Sequence, residues 1–385
     1  MVSKLLLTAL LLLNTLKVYV QNRPAGTFSD SIKVRSRINS INIKRYAVVI
    51  GISNYIPPIP SLSYAELDAY RFKQFLESGY AGNFDQIKYL PDGIATYSEI
   101  DKEFFLWLED LSLKKNDELY IYYSGHGVVK NGDQFFLAAD SKIKDPNLLT
   151  IGRALSANRI KEQIRQLVHP DLGVKVVFIV DACRKNVEDL SKNTDYAEYY
   201  RSSMMEQTYG EMQMLSASKK QFSYETSGLK FEHSGLSRPN LKPLDGSSIF
   251  SYFLLLGLYG AADKKLNNEI TFSELSDFVK DNVRNYVEKV LQRDENDKQE
   301  PNFYAEDVGF PLSKLPPDTA RKYQALYQQL RTKIDAGSGY GKLNITNQSK
   351  YLFSYQGFPA QTSGVSAPVG NRHLGIEEIQ ANNLY

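Results

Sequence analysis

GVKVVFIVDACR, residues 173–184, decides the fold. Val174, Val176, Val177, Phe178, Ile179 and Val180 form a short, near-continuous apolar run rich in β-branched residues. That is the pattern of a strand buried on both faces at the centre of a parallel α/β sheet. The run ends in Asp181-Ala182-Cys183-Arg184, and Cys183 is the chain's single cysteine. In α/β sheets, ligands and chemistry gather at the carboxyl ends of strands, where Cys183 falls. Upstream, Leu119-Tyr-Ile-Tyr-Tyr123 is a second apolar run, ending in Ser124-Gly125-His126-Gly127. If the two strands are parallel neighbours, the cysteine and the histidine share one edge of the sheet. A lone cysteine is more often a buried packing residue; a histidine at the matching strand end makes it a candidate nucleophile.

Outward from these two runs the chain alternates strands and helices. Tyr46–Ile52 reads as a first strand, followed by a loop over 53–63 that Pro57, Pro58 and Pro60 keep irregular. This loop follows a strand end, so it belongs to the same edge. A helix over about 65–78 carries its apolar stripe on Ala65, Ala69, Phe72, Phe75 and Leu76. Asp68 lies on that stripe, where a carboxylate is costly unless it has a partner or a job. Gln86–Leu90 is a strand, and Thr96 with Glu99 opens a helix to about Leu111 with Trp107 placed in the core. Val128–Ala139 reads as a hairpin, Ser156 caps a helix to Leu167, and Met212–Ser216 is a strand. Residues 223–247 read as a long functional or disordered loop. Helices follow over 248–259 and 271–291, then a strand near 303–310 and an amphipathic helix over 318–334. The remainder, rich in Gly, Ser, Asn and Gln, reads as a flexible tail.

The stretches YAVVIGISNY (46–55), YAELDAYRF (64–72), DELYIYYSGHG (117–127), VVFIVDACR (176–184) and SSIFSYFLLLGLYGAADKKLNNEITFSEL (247–275) together resemble the caspase-like cysteine peptidases, most closely the metacaspases and bacterial caspase-family proteins. The separation of His126 from Cys183 is close to the roughly 50-residue offset of caspases. The resemblance covers about seven tenths of the chain, residues 44–312. It implies a caspase-like fold: an α/β domain with a mostly parallel six-stranded sheet and helices on both faces. It implies a cysteine endopeptidase in which Cys183 attacks the peptide to give a thioester acyl-enzyme and His126 protonates the leaving amine. It further implies an oxyanion hole from the backbone N–H groups of Gly127 and Cys183. Asp68, Ser124 and Asp181 fall on the positions of the acidic S1 pocket of metacaspases, so the resemblance implies protein or peptide substrates cut after Arg or Lys. One departure bears on the pocket's shape: Ala65 stands where many metacaspases carry a cysteine. Calcium activation is common among metacaspases, but their carboxylate set is not matched here, so a calcium requirement stays open and no metal ligand is assigned.

Composition narrows the classes. The net charge of +2 and the absence of a basic stripe argue against nucleic-acid binding. Lys4 followed by the leucine-rich Leu5–Leu13 matches a secretory signal peptide and is too short to span a bilayer. The expected organisation is a signal peptide over 1–20, a linker or pro-segment over 21–43, the peptidase domain over 44–312, and a helix with a flexible tail over 313–385. On this reading the chain is exported, with no stable membrane insertion after signal cleavage; if the signal is retained it stays membrane-associated. Lys185, Lys192 and Arg201 are candidate self-cleavage positions. Asp263 to Glu274 has the length of an EF-hand loop but Lys265 and Asn268 at positions that forbid it. Two other classes stand beside the peptidase: a catalytically silent caspase-like binding module, and a different cysteine-dependent acyl hydrolase.

Overall fold

The computed structural model describes residues 43–57, 59–130, 133–143, 151–182, 209–218, 221–229, 246–294, 297–337 and 346–347. In chain order these form β1 (Arg45–Gly51), α1 (Ala65–Glu77), β2 (Gln86–Pro91), α2 (Tyr97–Ile100), a π-helical stretch (Asp101–Leu106), α3 (Trp107–Asp110) and β3 (Glu118–Ser124). β4 (Gly127–Lys130), β5 (Asp133–Ile143), β6 (Ile151–Ser156), α4 (Ala157–Leu167), β7 (Lys175–Asp181) and β8 (Glu211–Leu215) follow. The rest comprises β9 (Tyr224–Thr226), β10 (Ser247–Ser248), α5 (Ile249–Leu256), β11 (Glu269–Thr271), α6 (Phe272–Lys289), β12 (Asn302–Ala305), β13 (Pro311–Lys314), α7 (Pro317–Asp335) and β14 (Thr346–Asn347).

The central sheet has six strands in the order β12-β8-β7-β3-β1-β2, and only β12 runs antiparallel to its neighbour. β3 and β7 are direct parallel neighbours, with Ser124 opposite Asp181. Every residue of β3, and every residue of β1 and β7 after the first, is buried. The side chains divide by strand alternation into two cores. Val49, Tyr122 and Ile179 face α1, α5, α6 and α7; Val48, Ile121 and Phe178 face α2, the π-helical stretch and α4. This is an α/β domain with helices on both faces, as the apolar runs predict. α5 is buried along its whole length, which is why its sequence IFSYFLLL carries no polar stripe.

Two details depart from expectation. Trp107 is half-buried at the rim of its core, and its indole N–H donates to Gln86 Oε1 at 2.8 Å. The π-helical stretch just before it shifts the helical register, and Phe104, Phe105 and Leu108 fill the core instead. Second, α7 lies beyond the segment matched by resemblance, yet it packs into the same core through Ala320, Tyr323, Tyr327, Leu330 and Ile334. Its approach is set by Gly260, at φ +120°, where a Cβ would come within 2.7 Å of Ala320 Cα.

The rejected EF-hand stretch has another use. The Asp263 carboxylate accepts the backbone N–H groups of Asn267 and Asn268, and Glu274 closes a capping box with Thr271 at the start of α6. Among the described residues no cluster of three or more His, Cys, Asp or Glu is placed to hold a metal ion, and no helix is long and apolar enough to cross a membrane.

Candidate active site

β3 and β7 deliver Ser124 and Asp181 to one sheet edge, and the chain leaves that edge toward His126 and toward Ala182. Gly125 N–H donates to Asp181 O at 3.1 Å and ties the two exits together. Cys183 lies outside the described residues. The residue before it is held firmly: Ala182 N–H donates to Ser216 Oγ at 3.1 Å, and the Ser216 hydroxyl contacts Ala182 O at 3.3 Å. Residues 184–208, with the candidate cleavage positions Lys185, Lys192 and Arg201, also lie outside the described residues. So do the expected signal peptide, the linker as far as residue 42, and most of the C-terminal tail.

His126 is 1% exposed, so it sits within the edge rather than on its open rim. Its Nε2 is 2.8 Å from Pro60 O. A carbonyl only accepts, so Nε2 carries the proton and Nδ1 presents the lone pair. Nδ1 is buried and meets no hydrogen-bond partner among the described residues. Burial holds the imidazole neutral, lowering its pKa to about 4 against the pull of the Pro60 carbonyl. The backbone is fixed as tightly as the ring. His126 N–H donates to Tyr55 Oη at 2.8 Å, and the Tyr123 hydroxyl bridges His126 O and Leu137 O, each at 2.8 Å. Neither Gly125 nor Gly127 takes a positive φ. Gly125 is required for space: a Cβ there would lie 2.6 Å from the hydroxyls of both Tyr123 and Tyr55. Gly127 opens β4, opposite Phe136.

The structure brings Asp68 and Asp181 together at the N-terminus of α5. Ser248 serves both: its N–H donates to Asp68 Oδ2 at 2.8 Å and its hydroxyl donates to Asp181 Oδ2. Ser247 Oγ donates to Asp68 Oδ1 at 2.6 Å; Ser223 and Ser251 donate to Asp181 at 2.7 and 2.6 Å. A helix N-terminus supplies free N–H groups and a favourable dipole for anions, so the sequence GSSIFS (246–251) is a ready seat for two carboxylates. Arg71, one turn along α1, reaches Asp68 Oδ1 at 3.3 Å and Gly246 O at 2.6 Å. Ser124 is buried beside them as the register partner of Asp181.

A third carboxylate completes the cluster. Glu225 on β9 is fully buried and accepts the backbone N–H groups of Ser63 and Tyr64 at 2.9 and 3.0 Å. Nothing in the sequence marks it. It falls in a stretch without periodicity that reads as loop, and only the pairing of β9 with β10 carries it to Ser248. All three carboxyls are pushed up. Burial raises Asp68 to about 7, opposed by Arg71 and the serines, and Glu225 to about 8; Asp181 is raised by burial too. The three carboxylates also repel one another. The proline-rich loop joins both halves of the edge: Pro60 holds His126, and Ser63 and Tyr64 hold Glu225. Its own start is pinned by Asp92, which accepts the N–H groups of Ser53 and Asn54 at 2.5 and 2.9 Å.

The carboxyl edge of the mostly parallel sheet thus carries a buried histidine and a serine-lined acidic cluster. The Caspase domain family model matches residues 44–312, and the chain belongs to that family. No curated protein sequence matches it. Among solved structures it is similar to caspase-1 from Spodoptera frugiperda, at 14% identity and a TM-score of 0.45 over 71% of this chain and 90% of that one. It is also similar to the protein GSU0716 from Geobacter sulfurreducens, at 15% identity and a TM-score of 0.44 over 71% of this chain and all of the other.

Proposed function

We propose that the chain is a cysteine endopeptidase that cuts peptides after Arg or Lys. The observation that carries this reading is the cluster of three buried carboxylates, Asp68, Asp181 and Glu225, at the edge that holds His126, where among the described residues Arg71 alone forms an ion pair with the cluster. Three acids whose charged forms are disfavoured by burial and mutual repulsion gain from a further positive charge, and a guanidinium or ammonium side chain supplies it. Ser124 lines the same place.

Cys183 is the nucleophile in this reading. The Nδ1 lone pair of His126 takes the thiol proton, and Sγ bonds to the scissile carbonyl carbon. The oxyanion is stabilised by the backbone N–H groups of Gly127 and Cys183. The C–N bond then breaks, and His126 returns the proton to the leaving amine. Water attacks the resulting thioester and releases the acid and the thiol. The Nε2–H bond to Pro60 keeps Nδ1 the nitrogen that takes up and returns the proton. The reading includes export through the leucine-rich N-terminus, which N-terminal sequencing of the mature chain checks.

The deciding experiment is a panel of fluorogenic peptides with Arg, Lys, Asn or Asp at P1, with and without calcium, and with Cys183→Ala as control. Turnover confined to Arg and Lys and lost in Cys183→Ala is the expected result. No turnover of any peptide would favour the silent binding module, and equal turnover of all four would remove the acidic pocket from the account.

A further inference from the structure

β9 is the middle strand of a small sheet ordered β10-β9-β14. On one side Ser247 and Ser248 of β10 pair with Thr226 and Glu225. On the other side the chain's own C-terminal segment pairs antiparallel with it, Thr346 opposite Glu225 and Asn347 opposite Tyr224. Without β14 that side of β9 would be an open edge, and an open edge accepts an extended peptide as an added strand. Glu225 belongs to the carboxylate cluster, and Ser223, just before β9, donates to Asp181. A peptide laid along this edge therefore runs beside the proposed cation pocket.

We infer that the outer edge of β9 is a strand-accepting surface whose resident occupant is this chain's own segment Thr346–Asn347, which keeps extended peptide substrates out until it is displaced. The inference rests on the reading of Asp68, Asp181 and Glu225 as the pocket for a cationic P1 side chain. The occupant is suited to blocking rather than reacting. Its paired residues are threonine and asparagine, so it brings no cation to the positions opposite Glu225 and Tyr224. It is also suited to leaving. Two paired residues offer few hydrogen bonds, each worth about 0.5–1.5 kcal/mol net. What holds the strand in place is its tether, since a covalently linked segment competes at an effective concentration on the order of millimolar. A substrate that adds a P1 cation to the same strand pairing outcompetes a segment that offers backbone alone.

The test uses the full chain and two substitutions, Thr346→Pro and Asn347→Pro; ladder bonds alternate along the strand, so one of the two removes a ladder N–H, and both fix φ against strand pairing. Hydrogen exchange over Ser223–Thr226 reads docking directly and needs no activity. Exchange there should be at least about tenfold faster in a proline variant than in wild type. With an Arg-P1 peptide, KM should fall by about an order of magnitude at unchanged kcat, and a synthetic peptide spanning residues 340–353 should restore the wild-type KM competitively. Unchanged exchange in both variants would overturn the docking. Faster exchange with unchanged KM would overturn the exclusion of substrate. If wild type and variants all fail to cleave any peptide, the peptidase reading falls, while the exchange measurement still decides whether the strand is docked.

Discussion

The two halves of the candidate site meet the same physical problem and solve it in opposite ways. Around His126 a basic group is buried among Tyr55, Tyr123 and a carbonyl, and burial removes its charge. Around α5 three acidic groups are buried among serines and backbone N–H groups, and burial shifts each of them toward the protonated form. Burial disfavours charge in both, and on the proposed reading only the acid cluster meets a charge brought by substrate. On that reading, a cation entering the acid cluster favours the ionised form of its carboxylates, whereas burial keeps His126 a neutral base. On the same reading the difference separates the roles: one half transfers a proton, the other reads charge.

The largest expected effects break the first half. Cys183→Ala should abolish turnover, and His126→Ala should lower kcat by at least about 10³-fold, as for other nucleophile–base pairs. Near-wild-type activity in Cys183→Ala would end the assignment. His126 is buried, so its substitution should also lower the melting temperature.

The second half should fail selectively. Glu225→Gln should reduce kcat/KM for Arg and Lys peptides by roughly 10²–10³-fold, the equivalent of about 3–5 kcal/mol for a broken buried ion pair. A neutral P1 such as Asn should lose much less. Glu225 is a cleaner probe than Asp68, because removing Asp68 takes away the carboxylate that pairs with the buried Arg71. Equal losses for Arg, Lys and Asn peptides would show that Glu225 serves the fold and not specificity.

The pH dependence should run in opposite directions for the two halves. Asp68 and Glu225 titrate at about 7 and about 8 in the folded chain, against 3.8 and 4.5 for the free groups. The folded chain therefore binds more protons between those limits, and the stability these acids contribute is full at low pH and lost as pH rises through about 7–8. His126 is depressed to about 4 from 6.5, so its contribution is full above 6.5 and lost as pH falls through about 4. Thermal melts from pH 4 to 9 should show these acids' contribution declining between about pH 4.5 and 8 and level above it, and Glu225→Gln should flatten that decline. In kinetics, kcat/KM for an Arg peptide should climb from pH 6 to 8 as the acids ionise. A profile parallel to that of an Asn peptide would contradict the charge-reading role.

Smaller effects mark the supports. Gly125→Ala must push aside two tyrosine hydroxyls and should cost about 1–3 kcal/mol by overcrowding, with kcat falling because Tyr55 holds the His126 backbone. Thr271→Ala removes a helix cap far along the chain from the site and should cost about 1 kcal/mol with kcat/KM unchanged, as denaturant unfolding beside kinetics would show.

The sequence by itself determined the sheet, because strands buried on both faces must be apolar throughout: β1, β3 and β7 announce themselves in YAVVIGI, LYIYY and VVFIV. It also determined that His126 and Asp181 lie at strand ends, and that Asp68 is a carboxylate on a core-facing stripe. Tertiary structure decided the rest. Glu225 belongs to the acid cluster only because β9 pairs with β10, and Pro60 meets His126 only because a loop with no periodicity folds back over the edge. Trp107 leaves the core because a π-helical stretch rotates the helix beneath it. These facts are set by long-range pairing and loop geometry, and neither leaves a period in the chain. The charge states follow the same division: residue types supply the acids and the histidine, and burial in the folded chain is the largest influence on their proton affinity.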